Sequence, residues 1–131
     1  MNGEAIHVSR VASLEDALLC HADVLAYEFF DAGPQFAALT RRVWDRRGFG
    51  DFWGHMLVAE GIADVMFEPV LAIWDVAAVM PIVEEAGGRV TDRGGVRHAD
   101  GGNAVTTNGL LHDAVLAIVG EGGWDPGAEG G

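Results

Sequence analysis

The stretch Glu68–Gly88, E-P-V-L-A-I-W-D-V-A-A-V-M-P-I-V-E-E-A-G-G, constrains the fold most tightly. An apolar run ends at Glu68, Pro69 breaks the chain, and apolar residues then recur at helical spacing from about Asp75 to Ala86. Gly87 and Gly88 stop that helix, because glycine readily takes the left-handed conformation a C-cap needs. The unit is a strand followed by a helix, and its junction carries one carboxylate, Asp75.

The same alternation extends along the chain. Ala5–Val11, with Ile6, Val8 and Val11, reads as a short strand. Ser13 offers an N-cap with Asp16 three residues on, and Leu14, Ala17 and Leu18 follow at helical spacing, which places Cys20 in an apolar helix. Asp31–Arg42 reads as a second helix, and Arg46–Gly50 as a basic loop broken by glycine. Asp51–Gly61 is predicted helical, with Asp51 at its positive end, and Ile62–Phe67 is predicted as a strand. Arg89–Thr91 and Ala104–Thr107 are further strands, Gly94-Gly95 a turn, and Asn108–Val119 a last helix. The pattern predicts one α/β domain over residues 1–119, a layered mixed sheet with flanking helices, followed by a glycine-rich tail, 120–131, expected to be disordered.

Bulk composition narrows the function. The chain has 131 residues, half of them apolar, enough to bury roughly two thirds of its unfolded surface. Its net charge of -12 and lack of Lys/Arg clusters argue against nucleic acid and against anionic membranes, and suit a cation-dependent function. Cys20 is the sole cysteine, so no intrachain disulfide forms, and a reducing cytoplasm is the simplest setting. No apolar run reaches the roughly 18 residues of a membrane span, and the first residues lack a signal-peptide pattern.

Four residues are candidates for chemistry. Asp75 suits a metal ion, and equally suits the N-cap of its helix; a capping carboxylate keeps a second oxygen for a cation. Glu68, at a strand end, could take a substrate hydroxyl or amine, or be solvated. Asp51 is a cap or a substrate contact. Arg47 pairs with a carboxylate or phosphate, or lies in water. The five histidines show no metal-ligand spacing, and His55 reads as a helix-face residue. Trp44, Trp53 and Trp74 read as core or pocket-wall residues, and Cys20 as a buried thiol.

Taken together, I-W-D-V-A-A (73–78) and E-A-G-G-R-V-T-D (85–92) resemble the C-terminal signature of the inositol monophosphatase superfamily. R-G-F-G-D-F-W-G (47–54), V-A-E-G-I-A-D-V-M-F-E (58–68) and T-T-N-G-L-L-H-D (106–113) fit the same pattern. G-D-F-W-G is most like the histidinol-phosphatase branch. The resemblance implies the C-terminal half of an αβαβα sandwich and a Mg²⁺-dependent hydrolase of small phosphate monoesters in the cytoplasm. Histidinol phosphate is the leading substrate and inositol 1-phosphate the alternative. It implies that Asp75 coordinates metal and that Glu68, Asp51 and Arg47 line the substrate pocket. Members of the family are often homodimers. The D-P-[IL]-D-G-[TS] run that supplies the other metal ligands in the family does not occur in this chain. The resemblance therefore implies little activity alone, a complementing N-terminal half, and apolar faces that promote self-association. A non-catalytic remnant or interaction module is the reading from a different class.

Overall fold

A computed structural model describes residues 6–48, 51–70, 73–97 and 102–120; of these, Asp51, Phe52 and Ile73 are described by backbone alone. Ala5 and the tail beyond Gly120 lie outside the described residues. Among the described residues five strands, β1 (Leu18–His21), β2 (Asp45–Arg47), β3 (Val65–Glu68), β4 (Arg89–Thr91) and β5 (Ala104–Thr107), form one mixed sheet in the order β2-β1-β3-β5-β4. β1 is parallel to β2 and β3, whereas β5 is antiparallel to both β3 and β4. The helices are α1 (Val24–Phe29), α2 (Gly33–Thr40), α3 (Asp51–Ala59), α4 (Ile73–Glu85) and α5 (His112–Val119).

Strand alternation sorts the side chains into two layers. Leu19, Val65, Phe67 and Val105 face one way and pack with Tyr27, Phe36, Leu39, Val115 and Ile118 of α1, α2 and α5. Cys20 and Met66 face the other way and pack with Val58 of α3, while Val90 and Ala104 pack with Val76, Val79, Met80 and Val83 of α4. The sheet is thus covered on both faces, as a parallel sheet core must be. The connection β1–α1–α2–β2 runs to one side of β1, and β2–α3–β3 returns to the other. Right-handed crossovers then place α1/α2 and α3 on opposite faces, as observed.

Three expectations fail in the first fifty residues. Described residues 6–13 form no strand; this segment is tied to the body by single contacts, such as the Val8 N–H donating to the Ala86 carbonyl at 3.0 Å. Leu14–Asp16 is one 3₁₀ turn, and Leu18–His21 is a strand, not a helix. A strand buried on both faces reads as a continuous apolar run, which periodicity alone does not separate from a helix. Arg46 and Arg47, expected within the Arg46–Gly50 loop, belong to the edge strand Asp45–Arg47; its charges guard an edge that would otherwise template further pairing. α1 was also absent from the sequence reading, although Asp23 caps it by accepting the Leu25 N–H at 3.0 Å.

From residue 51 onward the expected elements are present with shifted ends. α5 begins at His112 because Asn108 Oδ1 accepts the N–H groups of Leu110 and Leu111, holding 108–111 as a turn. Gly87 closes the α4 segment at φ +99°. Gly88 allows a close crossing: a Cβ there would lie 2.5 Å from the Thr107 carbonyl oxygen and 2.7 Å from Val83 Cγ1.

Candidate functional site

Parallel strands end together. β1 ends at His21, β2 at Arg47 and β3 at Glu68, so these residues share one edge of the sheet. α3 starts at Asp51 just after β2, and α4 starts at Ile73 just after β3, so both helix N-termini face that edge. All four residues singled out from the sequence therefore sit along one rim, where open α/β sheets commonly bind ligands. Across the sheet, Arg47 and Glu68 end strands two apart, roughly 10 Å between backbones.

Glu68 is the fixed member. It ends a strand buried along its whole length, and its side chain points into the α3/α4 layer with only 3% exposed. There His55 Nε2 lies 2.7 Å from Glu68 Oε1, and His55 Nδ1 lies 2.7 Å from Thr106 Oγ1 on β5. His55 is itself fully buried, so α3, β3 and β5 are joined by one polar chain inside the layer. Both contacts are of hydrogen-bond length, and the ring tautomer decides which nitrogen donates. The expected solvated strand end is thus corrected: Glu68 is buried and partnered.

Asp75 is the third residue of α4, half-buried between exposed Trp74 and buried Val76. It is not the N-cap, because Ile73 and Trp74 are already helical and the capping position precedes them, outside the described residues. A carboxylate in the first turn still meets the positive end of the helix dipole. Asp51 opens α3, and its side chain lies outside the description. Arg47 turns back along its own strand: Nη1 is 2.6 Å from Asp45 Oδ2 and donates to the Arg46 carbonyl at 2.9 Å. The Arg46 backbone N–H and then the Arg47 guanidinium hold the Asp45 carboxyl below its usual range.

Magnesium takes near-octahedral oxygen coordination, usually with more than one protein carboxylate or a substrate phosphate. Among the described residues no three His, Cys, Asp or Glu side chains are grouped closely enough to hold a metal ion. Asp75 is a single candidate donor, so the described residues do not form a magnesium site by themselves.

Other candidates resolve into structural roles. Cys20 is buried, and desolvation and then the charge of Asp64 push its thiol up to about 11, far from a nucleophile. Trp44, Trp53 and Trp74, read as core or pocket-wall residues, are 67, 62 and 72% exposed, which rules out the core. A cavity of about 510 Å³ lined by Tyr27, Glu28, Phe36 and Arg46 lies in the α1/α2 layer, away from the Glu68 carboxylate. His55 and Thr106 were missed as site residues. A signal existed: His55 shares the helix face of Val58 and Ala59, so a polar ring was bound for the interior and needed partners.

A three-layer αβα sheet with an acidic rim at the parallel strand ends is the class this geometry defines. The pattern of the Inositol monophosphatase family matches residues 1–122, and the chain belongs to that family. A histidinol-phosphatase of Streptomyces coelicolor is 43% identical over 114 residues, covering 87% of this chain and 43% of the relative. One from Mycobacterium tuberculosis is 45% identical over 111 residues, covering 85% of this chain and 43% of the relative. The solved structure of the Thermotoga maritima IMPase superposes with a TM-score of 0.78 at 33% identity, over 90% of this chain and 46% of that one. The chain thus spans somewhat less than half the length of the relatives it matches.

Proposed function

We propose that this chain carries part of the active site of a Mg²⁺-dependent phosphate monoester hydrolase acting on L-histidinol phosphate, a step of histidine biosynthesis in the cytoplasm. The observation that supports it is the common rim: Arg47, Asp51, Glu68 and Asp75 are brought to one edge of the sheet, in a chain 43–45% identical to two histidinol-phosphatases. The negative rim suits a substrate whose organic part carries an amine and an imidazole. Glu68 accepts from that cationic part, Asp51 adds attraction from the α3 N-terminus, and Arg47 leaves Asp45 to meet a phosphate oxygen, a planar fork suited to such a partner. Asp75 is one metal donor. The remaining donors come from a complementing N-terminal half, and the assembled enzyme is a homodimer; this chain alone is then a weak phosphatase or none.

Hydrolysis of an inositol monophosphate is the second reading, favoured by the close superposition on the Thermotoga maritima IMPase. The test combines this chain with a polypeptide supplying the D-P-x-D-G half and compares phosphate release from L-histidinol phosphate and inositol 1-phosphate in Mg²⁺. The proposal expects preference for the first, selectively weakened by Asp51→Ala. Preference for the inositol ester would move the assignment, and no turnover of either would favour a non-catalytic remnant.

A further inference from the structure

We propose that His55 is a positioning residue for substrate recognition: held in one orientation by Thr106, its ring fixes Oε1 of Glu68 and leaves the other carboxylate oxygen to the substrate's cationic group. This rests on the reading of Glu68 as a substrate contact.

Three observations support it. His55 bridges Thr106 Oγ1 and Glu68 Oε1 at 2.7 Å each, so the ring cannot turn without losing both bonds. With Nε2 donating to the carboxylate and the rotatable Thr106 hydroxyl donating to Nδ1, a single tautomer satisfies both contacts. The pair sits at the end of β3, on the rim where the other candidate residues converge. As a purely stabilising device a buried carboxylate is poor, since its desolvation offsets much of what a hydrogen-bond partner returns. A carboxylate locked at one oxygen is instead a defined acceptor at the other, in the way outer partners orient the groups that touch a ligand.

The experiment uses the full chain labelled with ¹⁵N, titrated with L-histidinol phosphate to millimolar concentrations with Mg²⁺ present, and reads ring-nitrogen and backbone-amide signals. The proposal expects His55 with hydrogen on Nε2 and none on Nδ1. It expects saturable shifts centred on Glu68 in the wild type. His55→Gln, whose amide nitrogen replaces Nε2, keeps affinity within about 3-fold, and His55→Leu loses roughly 10-fold or more. Thr106→Val, nearly isosteric, releases the ring to exchange tautomers and weakens binding measurably, which serves if His55→Leu does not fold. Hydrogen on Nδ1 of the wild-type ring, undiminished binding in His55→Leu, or undiminished binding in Thr106→Val with its tautomer unchanged would overturn the inference while sparing the role of Glu68. Absence of saturable shifts in the wild type would instead overturn the reading of Glu68, and this inference with it.

Discussion

Two histidines lie fully buried on opposite faces of the sheet, and β5 touches both. Thr106 meets His55 Nδ1 at 2.7 Å in the α3/α4 layer; Thr107, the next residue, meets His112 Nδ1 at 2.9 Å in the α5 layer. The rings differ in what their second nitrogen finds. For His112 it is another hydroxyl, Thr91 Oγ1, at 2.8 Å; for His55 it is the Glu68 carboxylate. A ring between two hydroxyls pins β4, β5 and α5 together and has no reason to carry charge; burial, helped by nearby Arg89, pushes His112 down to about 4. The His55 ring instead ties its second nitrogen to a carboxylate at the strand-end rim. Similar burial and similar threonine partners thus give a fastener in one layer and a tethered rim residue in the other.

The comparison breaks hardest at Glu68. Glu68→Ala strips the buried ring of its acceptor and should lower unfolding free energy by about 3 kcal/mol in a denaturant titration. A loss no larger than for an exposed residue would mean that the pair is not desolvated in solution.

Acid should separate the two rings by acting on His112. Unfolded, that imidazole takes a proton near 6.5, and folded only near 4. Between those values the unfolded chain binds the extra proton, so acid favours unfolding. The contribution is whole above pH 6.5 and is lost as pH falls toward 4, on the order of 3 kcal/mol. His112→Asn should flatten this part of the profile of melting temperature against pH; an unchanged slope would refute the assignment.

Arg47 supplies the smallest stability effect and the sharpest contrast with Glu68. Its pair with Asp45 is half in water, so Arg47→Ala should leave the denaturation midpoint essentially unchanged. Under the proposed function, and with a D-P-x-D-G half supplied, the same change should raise KM for the phosphate ester several-fold. An equal loss of stability at Arg47 and Glu68 would erase the distinction between a mobile and a fixed rim residue.

The sequence made the second half of the fold legible, and physical reasons explain why. β3, α4, β4 and β5 are bounded by Pro69, Gly87, Gly88 and Gly95, and such breakers leave little choice of register. β1 had no such punctuation at its start, and its short apolar run fitted helix and strand alike. β2 was hidden because its side chains are charged, as an edge allows. Arg47, Asp51, Glu68 and Asp75 could be named from motif spacing, and their shared rim follows from topology. The burial of Glu68 could not be read from its strand-end position, because it depends on a histidine 13 residues earlier and a threonine on a strand far along the chain. The tryptophans are exposed and not core, which leaves the pocket-wall reading; Trp53 and Trp74 lie in the first turns of α3 and α4, beside the rim.

The central proposal is that this chain contributes one side of a phosphatase site whose other metal donors lie on a D-P-x-D-G segment that the sequence does not contain. Phosphate release from L-histidinol phosphate by the purified chain at saturating Mg²⁺ tests it most directly. The account predicts release at the buffer background, rising only when a polypeptide bearing the D-P-x-D-G half is added. Sustained turnover by this chain alone, abolished by Asp75→Asn, would contradict it.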